Sequence, residues 1–353
     1  MGARDRMKKS RAGVYLGIAA VLVVMFLLPM VITNPYWIHV LVITVITSLL
    51  AVSLRALART GVISMGTAGL MLVGAYSSAL MAMKAGIPVW VAMPLGGLLS
   101  AFIASLVGYP FLRAKGIYFA ILTVQMSELL RAIAWYWSGL TRGSTGLQGI
   151  PRPEPINLGV FTLNFESRTS FYYLALVLVI VCCAVLYRVE HSWLGTMWSA
   201  IRENDVLARA SGINVRMHKL GIFVISAFFM GFAGAMYAHY MGSLSPYGYP
   251  GCPFSFSASI YTIMYMMVGG EAHFFGPIVG TFLLTIVPEA ARTLKEYMPL
   301  LFGLLLIVVV FFMPEGILGL AERLLRKRRK GASPPPACKP GTEPALPEER
   351  AVS

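Results

Sequence analysis

The side chains best suited to specific polar contacts form one charged stretch, SAIRENDVLARASGINVRMHK at 199–219, between two long apolar runs. Only 12% of the 353 residues are charged, so this concentration is unusual. Arg202, Asp205 and Arg209 have helical spacing, which predicts a self-neutralising stripe along one face of a single helix. Such a stripe could contact another protein, or it could belong to a solvated loop helix.

Small residues accompany this stripe. Ala200, Ala208 and Ala210 would keep the helix thin, and Gly212 would end it, because glycine readily adopts the backbone conformation of a C-terminal cap. The apolar positions do not form a clean stripe of their own. The residues alone therefore leave two interpretations open: a docking element for a separate subunit, and an ordinary solvated helix.

The sequence lacks the residue patterns of catalysis. Its only two aspartates are Asp5 and Asp205, which argues against intramembrane enzymes that hold Mg²⁺ through Asp-rich motifs. It contains no H-E-x-x-H, no G-x-S-x-G and no G-x-x-x-x-G-K-S/T motif. We therefore predict no enzyme activity, no cofactor and no metal site. If the chain is an energised transporter, either an ion gradient or a separate ATPase must drive it.

An ion-coupled carrier would place ionisable side chains within the membrane as a relay, because they are costly there. The candidates are Glu128 and Glu289. Glu128 lies three residues before Arg131, so the two side chains share a helix face and can neutralise one another. We favour a structural ion pair for Glu128 over a proton-carrying role.

Long apolar runs must position all of these residues. The chain is 57% hydrophobic, its mean hydropathy is +0.72, and apolar runs of about 20 residues recur, the length of a membrane-spanning helix. The predicted fold class is all-α, a polytopic membrane protein with about ten transmembrane helices. The first run is interpreted as a retained helix rather than a signal peptide. The predicted spans are 14–33, 37–57, 62–83, 87–108, 117–137, 170–187, 219–241, 256–270, 274–290 and 299–318, of which 256–270 and 274–290 could be re-entrant.

The basic residues predict the orientation of these spans. Most of the 29 lysines and arginines fall on one side if the spans alternate, so that side and both termini are expected to be cytoplasmic. Residues 1–13 are expected to form a basic N-terminus, 14–320 a transmembrane domain, and 321–353 a basic and then Pro-rich disordered tail. Basic residues at helix ends meet anionic membrane lipid, so we predict no nucleic-acid partner.

Four blocks of the chain are distinctive: LRAKGIYFAILTVQ from Leu112, WLGTMWSAIRENDVLARASGINVRMHK from Trp193, MMVGGEAHFFGPIVG from Met266 and GLLLIVVVFFMPEGILGL from Gly303. These blocks resemble the LivM-type permeases, the membrane subunits of ABC importers for branched-chain amino acids. They occur in the family's order, and the resemblance covers about residues 40–320.

The resemblance implies that residues 199–212 are a cytoplasmic coupling helix that docks on an ATPase. It also implies a second permease subunit of the same fold, two cytoplasmic ATPase subunits and an external substrate-binding protein, in a bacterial-type inner membrane. The expected coupling residues are Ala200, Arg202, Glu203, Asp205, Arg209 and Gly212.

One block departs from the family pattern. Val62 stands where the family has Gln and Thr67 where it has His, whereas Ser64 and Gly66 are kept. If these positions contact the solute, it could be urea or a short amide, as in related permeases; if they do not, a branched-chain or other amino acid is expected. A path for a polar solute is expected to be lined by small and hydroxyl residues. The predicted path residues are Ser64, Gly66, Thr67, Tyr118, Thr123 and Gln125.

Overall fold

The computed structural model describes residues 34–290, with gaps at 115, 158–161, 164, 166 and 248–251, and a few residues on either side of that range. The predictions for the N-terminus, for the spans 14–33 and 299–318 and for the C-terminal tail lie largely or wholly outside the described residues.

The described residues are mostly helical, with four short strands near the loops. The helices are α1 (Pro35–Ala58), α2 (Thr67–Lys84), α3 (Val89–Phe111), α4 (Ile117–Tyr136), α5 (Ser138–Thr141), α6 (Arg168–Glu190), α7 (Trp193–Glu203), α8 (Asp205–Ala210), α9 (Val215–Met241), α10 (Phe256–Gly269) and α11 (Gly276–Ala290). The strands are β1 (Leu147–Gln148), β2 (Ile156–Asn157), β3 (Thr162–Leu163) and β4 (Ser243–Leu244). Two antiparallel pairs form, β1 with β4 and β2 with β3.

Within the described residues, five helices, α1, α3, α4, α6 and α9, are long and apolar enough to cross a membrane, which confirms the all-α membrane fold class. The helices α10 and α11 have 14 and 15 residues, so each is about 20 Å long against a hydrocarbon core of about 30 Å. The count of ten spans remains a prediction.

The predicted span 62–83 begins later than expected, at Thr67, because side chains take up the preceding backbone groups. The Gly66 amide donates to Ser64 Oγ at 3.2 Å, and the Met65 amide donates to Thr123 Oγ1 at 3.1 Å. Side-chain acceptors of this kind compete with helix formation. Residues 61–66 therefore form an irregular segment that leads into α2.

Helices α2, α3 and α9 pack against one another at close range through small residues. A Cβ atom built on Gly74 of α2 would lie 2.0 Å from the Gly231 carbonyl oxygen of α9. Ser100 of α3 donates to the Leu70 carbonyl at 2.9 Å. Small residues allow such close approach between membrane helices, where no hydrophobic effect draws helices together.

A buried histidine ties the loop after β1 to this helical core. The two ring nitrogens of His239 lie 2.8 Å from Ser78 Oγ and 2.7 Å from the Pro151 carbonyl oxygen. A carbonyl can only accept, so Nδ1 donates to Pro151 and the neutral ring accepts from Ser78 at Nε2. The Ile150 amide donates to the Gly242 carbonyl at 3.0 Å beside the β1–β4 pair.

The Gly74→Ala substitution is expected to destabilise the fold by about 1–3 kcal/mol, because the added methyl group overlaps the backbone of α9. Gly221→Ala in α9 is the matched control, since a Cβ atom there has nothing within 4 Å. The control should be neutral or stabilising by up to about 1 kcal/mol through helix propensity. Thermal unfolding of the detergent-solubilised proteins measures both; equal Tm values would contradict the tight crossing.

Candidate substrate path and coupling segment

Four predicted path residues meet where α2 begins. Ser64, Thr67 and Thr123 are each at most 1% exposed, and Gly66 is also buried. A Cβ atom on Gly66 would lie 2.7 Å from the Thr123 carbonyl oxygen, so the two backbones are in close contact. Thr123 lies about 9 Å along α4 from its first residue, at a rise of 1.5 Å per residue. The junction of α2 and α4 is therefore closed, buried and inside the membrane span.

Two further hydroxyl residues, Ser127 and Ser259, belong to this junction and were missed by sequence reasoning. A Cβ atom on Gly69 would lie 2.7 Å from Ser127 Oγ. The Ala68 amide, in the first turn of α2, donates to Ser259 Oγ of α10 at 3.1 Å. Ser127 follows Thr123 by one helical turn, a spacing that could have identified it in the sequence.

The hydroxyl groups of Thr67 and Ser127 are buried and have no hydrogen-bond partner among the described residues. Thr67 is the first residue of α2, so no helical turn precedes it to supply a carbonyl for its hydroxyl group. A buried unpaired hydroxyl costs about 1–3 kcal/mol. Both groups could instead bind a polar solute.

The other two predicted path residues do not join this cluster. Tyr118 is 68% exposed and Gln125 is also exposed, whereas Thr123 is fully buried. Tyr118 and Gln125 are seven residues apart, so they share the outward face of α4 while Thr123 faces the core. They could line a path only if another subunit covered this face.

The predicted single coupling helix at 199–212 is two helices in the structure, α7 and α8. Asn204 separates them with an extended backbone, at φ −159° and ψ 107°. Its side-chain oxygen accepts from the Val206 and Leu207 amides at 2.9 and 3.0 Å. Asparagine is a strong N-cap residue, so it starts a new helix at Asp205 rather than continuing the old one.

The predicted stripe of Arg202, Asp205 and Arg209 was wrong for the same reason. The break at Asn204 separates Arg202 in α7 from Asp205 and Arg209 in α8, and Arg202 and Asp205 both form their ion pairs with residues outside the stripe. Arg202 Nη1 donates to Glu271 Oε1 at 2.8 Å. Lys219 Nζ donates to Asp205 Oδ2 at 2.7 Å, and Arg209 lines a cavity of about 230 Å³ beside α9.

The predicted role of Gly212 in ending the helix is confirmed. Its φ of +82° is left-handed, a conformation that favours glycine. The Gly212 amide donates to the Arg209 carbonyl and the Ile213 amide to the Ala208 carbonyl, at 2.9 and 3.1 Å. This is the pattern of a Schellman cap.

Large apolar side chains lie exposed on the surface of α7 and α8. Trp193 and Val206 are each 75% exposed, and Leu207 is 66% exposed. Other side chains of the same segment, Trp198 and Ile201, are buried against the rest of the protein. The segment therefore presents two apolar surfaces, one packed on the membrane helices and one open. Exposed apolar groups of this size commonly mark a contact with another protein or with a membrane.

A buried ion pair lies beside α7. Arg55 of α1 donates through Nη1 to both carboxylate oxygens of Glu190, at 2.7 and 2.8 Å, and both side chains are 2% exposed. Removing one partner of a buried pair typically costs about 3–5 kcal/mol. A Cβ atom on Gly195 would lie 1.7 Å from the Glu190 carbonyl oxygen, so the first turn of α7 packs directly on the backbone at Glu190.

The predicted ion pair between Glu128 and Arg131 is confirmed. The Arg131 guanidinium also lies 4.1 Å from the centre of the Tyr247 ring, a favourable cation–π distance. Within the ranges that the structure describes, no three His, Cys, Asp or Glu side chains come together in a way that could hold a metal ion.

These features define a helical integral membrane protein with a charged segment between two of its spans. Residues 36–313 match the family model described as branched-chain amino acid transport system / permease component, so the chain belongs to that family of transport permeases. It is 32% identical over 292 residues to the high-affinity branched-chain amino acid transport system permease protein LivM of Escherichia coli (strain K12), covering 78% of this chain and 67% of that protein.

A second similar protein is the LivM permease of Salmonella typhimurium (strain LT2), at 31% identity over 285 residues, covering 76% of this chain and 66% of that protein. The chain thus spans about two thirds of the length of these curated relatives. No solved structure matches the chain.

Proposed function

We propose that this chain is the membrane-spanning permease subunit of an ABC importer in a bacterial inner membrane, driven by ATP hydrolysis in separate subunits. Its expected partners are a second permease of the same fold, two cytoplasmic ATPase subunits and an external substrate-binding protein. The named relatives are permeases of a branched-chain amino acid transport system, which supports this assignment.

The observation that carries the proposal is the surface of α7 and α8. This coupling segment joins the ends of two long membrane helices, α6 and α9, and leaves Trp193, Val206 and Leu207 open. Arg209 is also exposed, two residues after Leu207 in the same helix, and adds charge there. An apolar patch with a charged rim is the usual composition of a protein interface.

The double variant Val206→Glu/Leu207→Glu is expected to weaken ATPase binding by about 2 kcal/mol or more, which corresponds to about 30-fold. Co-purification of the ATPase subunits from native membranes measures this, and chromatographic behaviour of the permease shows whether the variant stays folded. An ion-coupled carrier predicts the opposite set of results: no ATPase subunits with the unchanged chain, and gradient-driven uptake by the purified chain alone.

We assign the substrate path to the junction of α2 and α4, around Ser64, Gly66, Thr67 and Thr123. The closed contact between Gly66 and Thr123 means that a solute can pass only when α4 separates from the start of α2. The unpaired hydroxyls of Thr67 and Ser127 would then be available to it. In this proposal Tyr118 and Gln125 contribute from the outward face of α4, against the second permease.

Thr67→Val tests the path, because valine has the shape of threonine without its hydroxyl group. Since that hydroxyl has no partner among the described residues, the fold should be unaffected or slightly stabilised. Uptake of the native solute should fall about fivefold, the equivalent of one hydrogen bond of about 1 kcal/mol. Thr44→Val is the control, since Thr44 Oγ1 donates to the Val40 carbonyl within α1. Equal uptake by the two variants would argue against the path.

The solute is proposed to be a branched-chain amino acid, with urea or a short amide as the alternative that Val62 and Thr67 favour. Both residues replace polar side chains of the family pattern at the start of α2. Competition of each compound class against uptake of the native solute separates the two.

The proposed orientation places both termini and the coupling segment in the cytoplasm. Single cysteines at Val206 and Trp137, 75% and 57% exposed, test it in a Cys-free chain expressed without the ATPase. An impermeant maleimide added to intact cells should label position 137 and reach position 206 only after permeabilisation. Labelling of position 206 from outside would reverse the orientation.

A further inference from the structure

The turn between α10 and α11, residues 270–275, is a rigid corner. A Cβ atom on Gly269 would lie 1.9 Å from the Gly276 carbonyl oxygen, and one on Gly280 would lie 2.1 Å from the Tyr265 carbonyl oxygen. Close-packed groups of this kind transmit displacement rather than absorb it. A force on the turn therefore moves α10 and α11 together.

Two arginines hold this turn in different ways. Arg55, which lies in the core, binds the backbone of the turn. Its Nε donates to the Glu271 carbonyl at 2.9 Å, and its Nη2 donates to the Ala272 carbonyl at 3.4 Å. Arg202, which lies in the coupling segment, binds a side chain of the turn through its ion pair with the Glu271 carboxylate at 2.8 Å. Glu271 is therefore the residue at which the core and the coupling segment meet.

The two helices of the coupling segment are attached to different membrane helices. Arg202, near the end of α7, binds the α10–α11 turn, whereas Asp205, at the start of α8, binds Lys219 of α9. The extended backbone of Asn204 lies between the two attachments. A displacement of the segment would thus reach α9 and the α10–α11 pair by separate contacts.

Helix α10 connects the turn with the candidate path. Its last residue, Gly269, precedes the turn, and Ser259 lies ten residues earlier, about 15 Å along the helix axis. There Ser259 Oγ accepts from the Ala68 amide in the first turn of α2. Movement of α10 along its axis would pull on the backbone beside Thr67.

We propose that the Arg202–Glu271 ion pair transmits movement of the coupling segment through α10 to the start of α2, and so couples ATP hydrolysis to opening of the path. This inference rests on the proposed function, because it requires the ATPase to dock on α7 and α8. Arg202 and Glu271 are positioning residues in this scheme, and neither contacts the solute.

The exposure of the ion pair distinguishes transmission from support of the fold. The Arg202 and Glu271 side chains are 42% and 30% exposed, and exposed pairs add little to stability. The anchor between Arg55 and Glu190 is buried and supports the fold whether or not the exposed pair forms. Variants of the exposed pair should therefore fold, and variants of Glu271, which lies outside α7 and α8, should still bind the ATPase.

The test uses the full transporter, with its ATPase subunits, in proteoliposomes, and it measures solute taken up per ATP hydrolysed. Arg202→Glu and Glu271→Arg should each lower that ratio about tenfold, within the usual range of coupling between sites. The double variant Arg202→Glu/Glu271→Arg restores opposite charges and should recover the ratio to within about threefold of the unchanged protein. Glu271→Gln, which removes the charge with little change of shape, serves if either reversal fails to fold, and should lower the same ratio.

Glu128→Gln is the matched control, because the Glu128 side chain is 31% exposed, close to the 30% of Glu271, and forms an ion pair with Arg131 within α4. It should leave the ratio unchanged. An unchanged ratio in the single variants, or failure of the double variant to recover, would overturn this inference alone, provided that the ATPase subunits still co-purify. Absence of ATPase subunits from the unchanged protein would overturn the proposed function and this inference with it.

Discussion

The fold near the coupling segment depends on the way a single buried guanidinium is neutralised. A charge removed from water costs several kcal/mol unless its partners are well placed, roughly the net stability of a small domain. Arg55 meets this requirement with the Glu190 carboxylate on one side and two backbone carbonyls on the other. The planar fork of arginine can serve both at once, which a lysine ammonium could not do with the same geometry.

The same interaction explains why irregular backbone is tolerated between α10 and α11. Carbonyl groups outside regular helix need partners wherever water is excluded, and membrane proteins accept such segments only where protein groups supply them. Arg55 supplies donors to the Glu271 and Ala272 carbonyls, and its guanidinium lies 5.4 Å from the centre of the Phe274 ring. Two helices too short to span the bilayer individually can therefore form one tightly packed hairpin.

Local pattern in the sequence predicted the helices well but the side-chain partners poorly. Runs of apolar residues fix where a membrane helix can lie, and the i, i+3 spacing correctly paired Glu128 with Arg131 inside one helix. The same reasoning failed for Arg202 and Asp205, because Asn204 between them caps a new helix. An asparagine followed by an acidic residue is a helix-start signal, so the break between α7 and α8 could have been predicted from the sequence.

The ion pairs that hold the coupling segment could not be predicted from residues that are close together in the sequence. Arg55 and Glu190 are 135 positions apart in the chain, and Arg202 and Glu271 are 69 apart. No helical periodicity relates such positions; only the packing of α1, α6 and the α10–α11 turn brings them together. The one available signal was charge itself, since an ionisable residue near the end of an apolar span needs a partner.

Hydroxyl groups in and just after α1 bond to a carbonyl of the preceding helical turn, whereas the Thr67 hydroxyl at the start of α2 does not. Thr44 and Ser53 of α1 each donate to the carbonyl four residues back, and Thr60 donates to the carbonyl three residues back. This is how a hydroxyl normally satisfies itself in an apolar helix. Thr67 has no turn of helix before it, so the same option is closed to it. A threonine placed at the first residue of a buried helix therefore keeps a donor available, and a polar solute entering the separated junction of α2 and α4 could accept it.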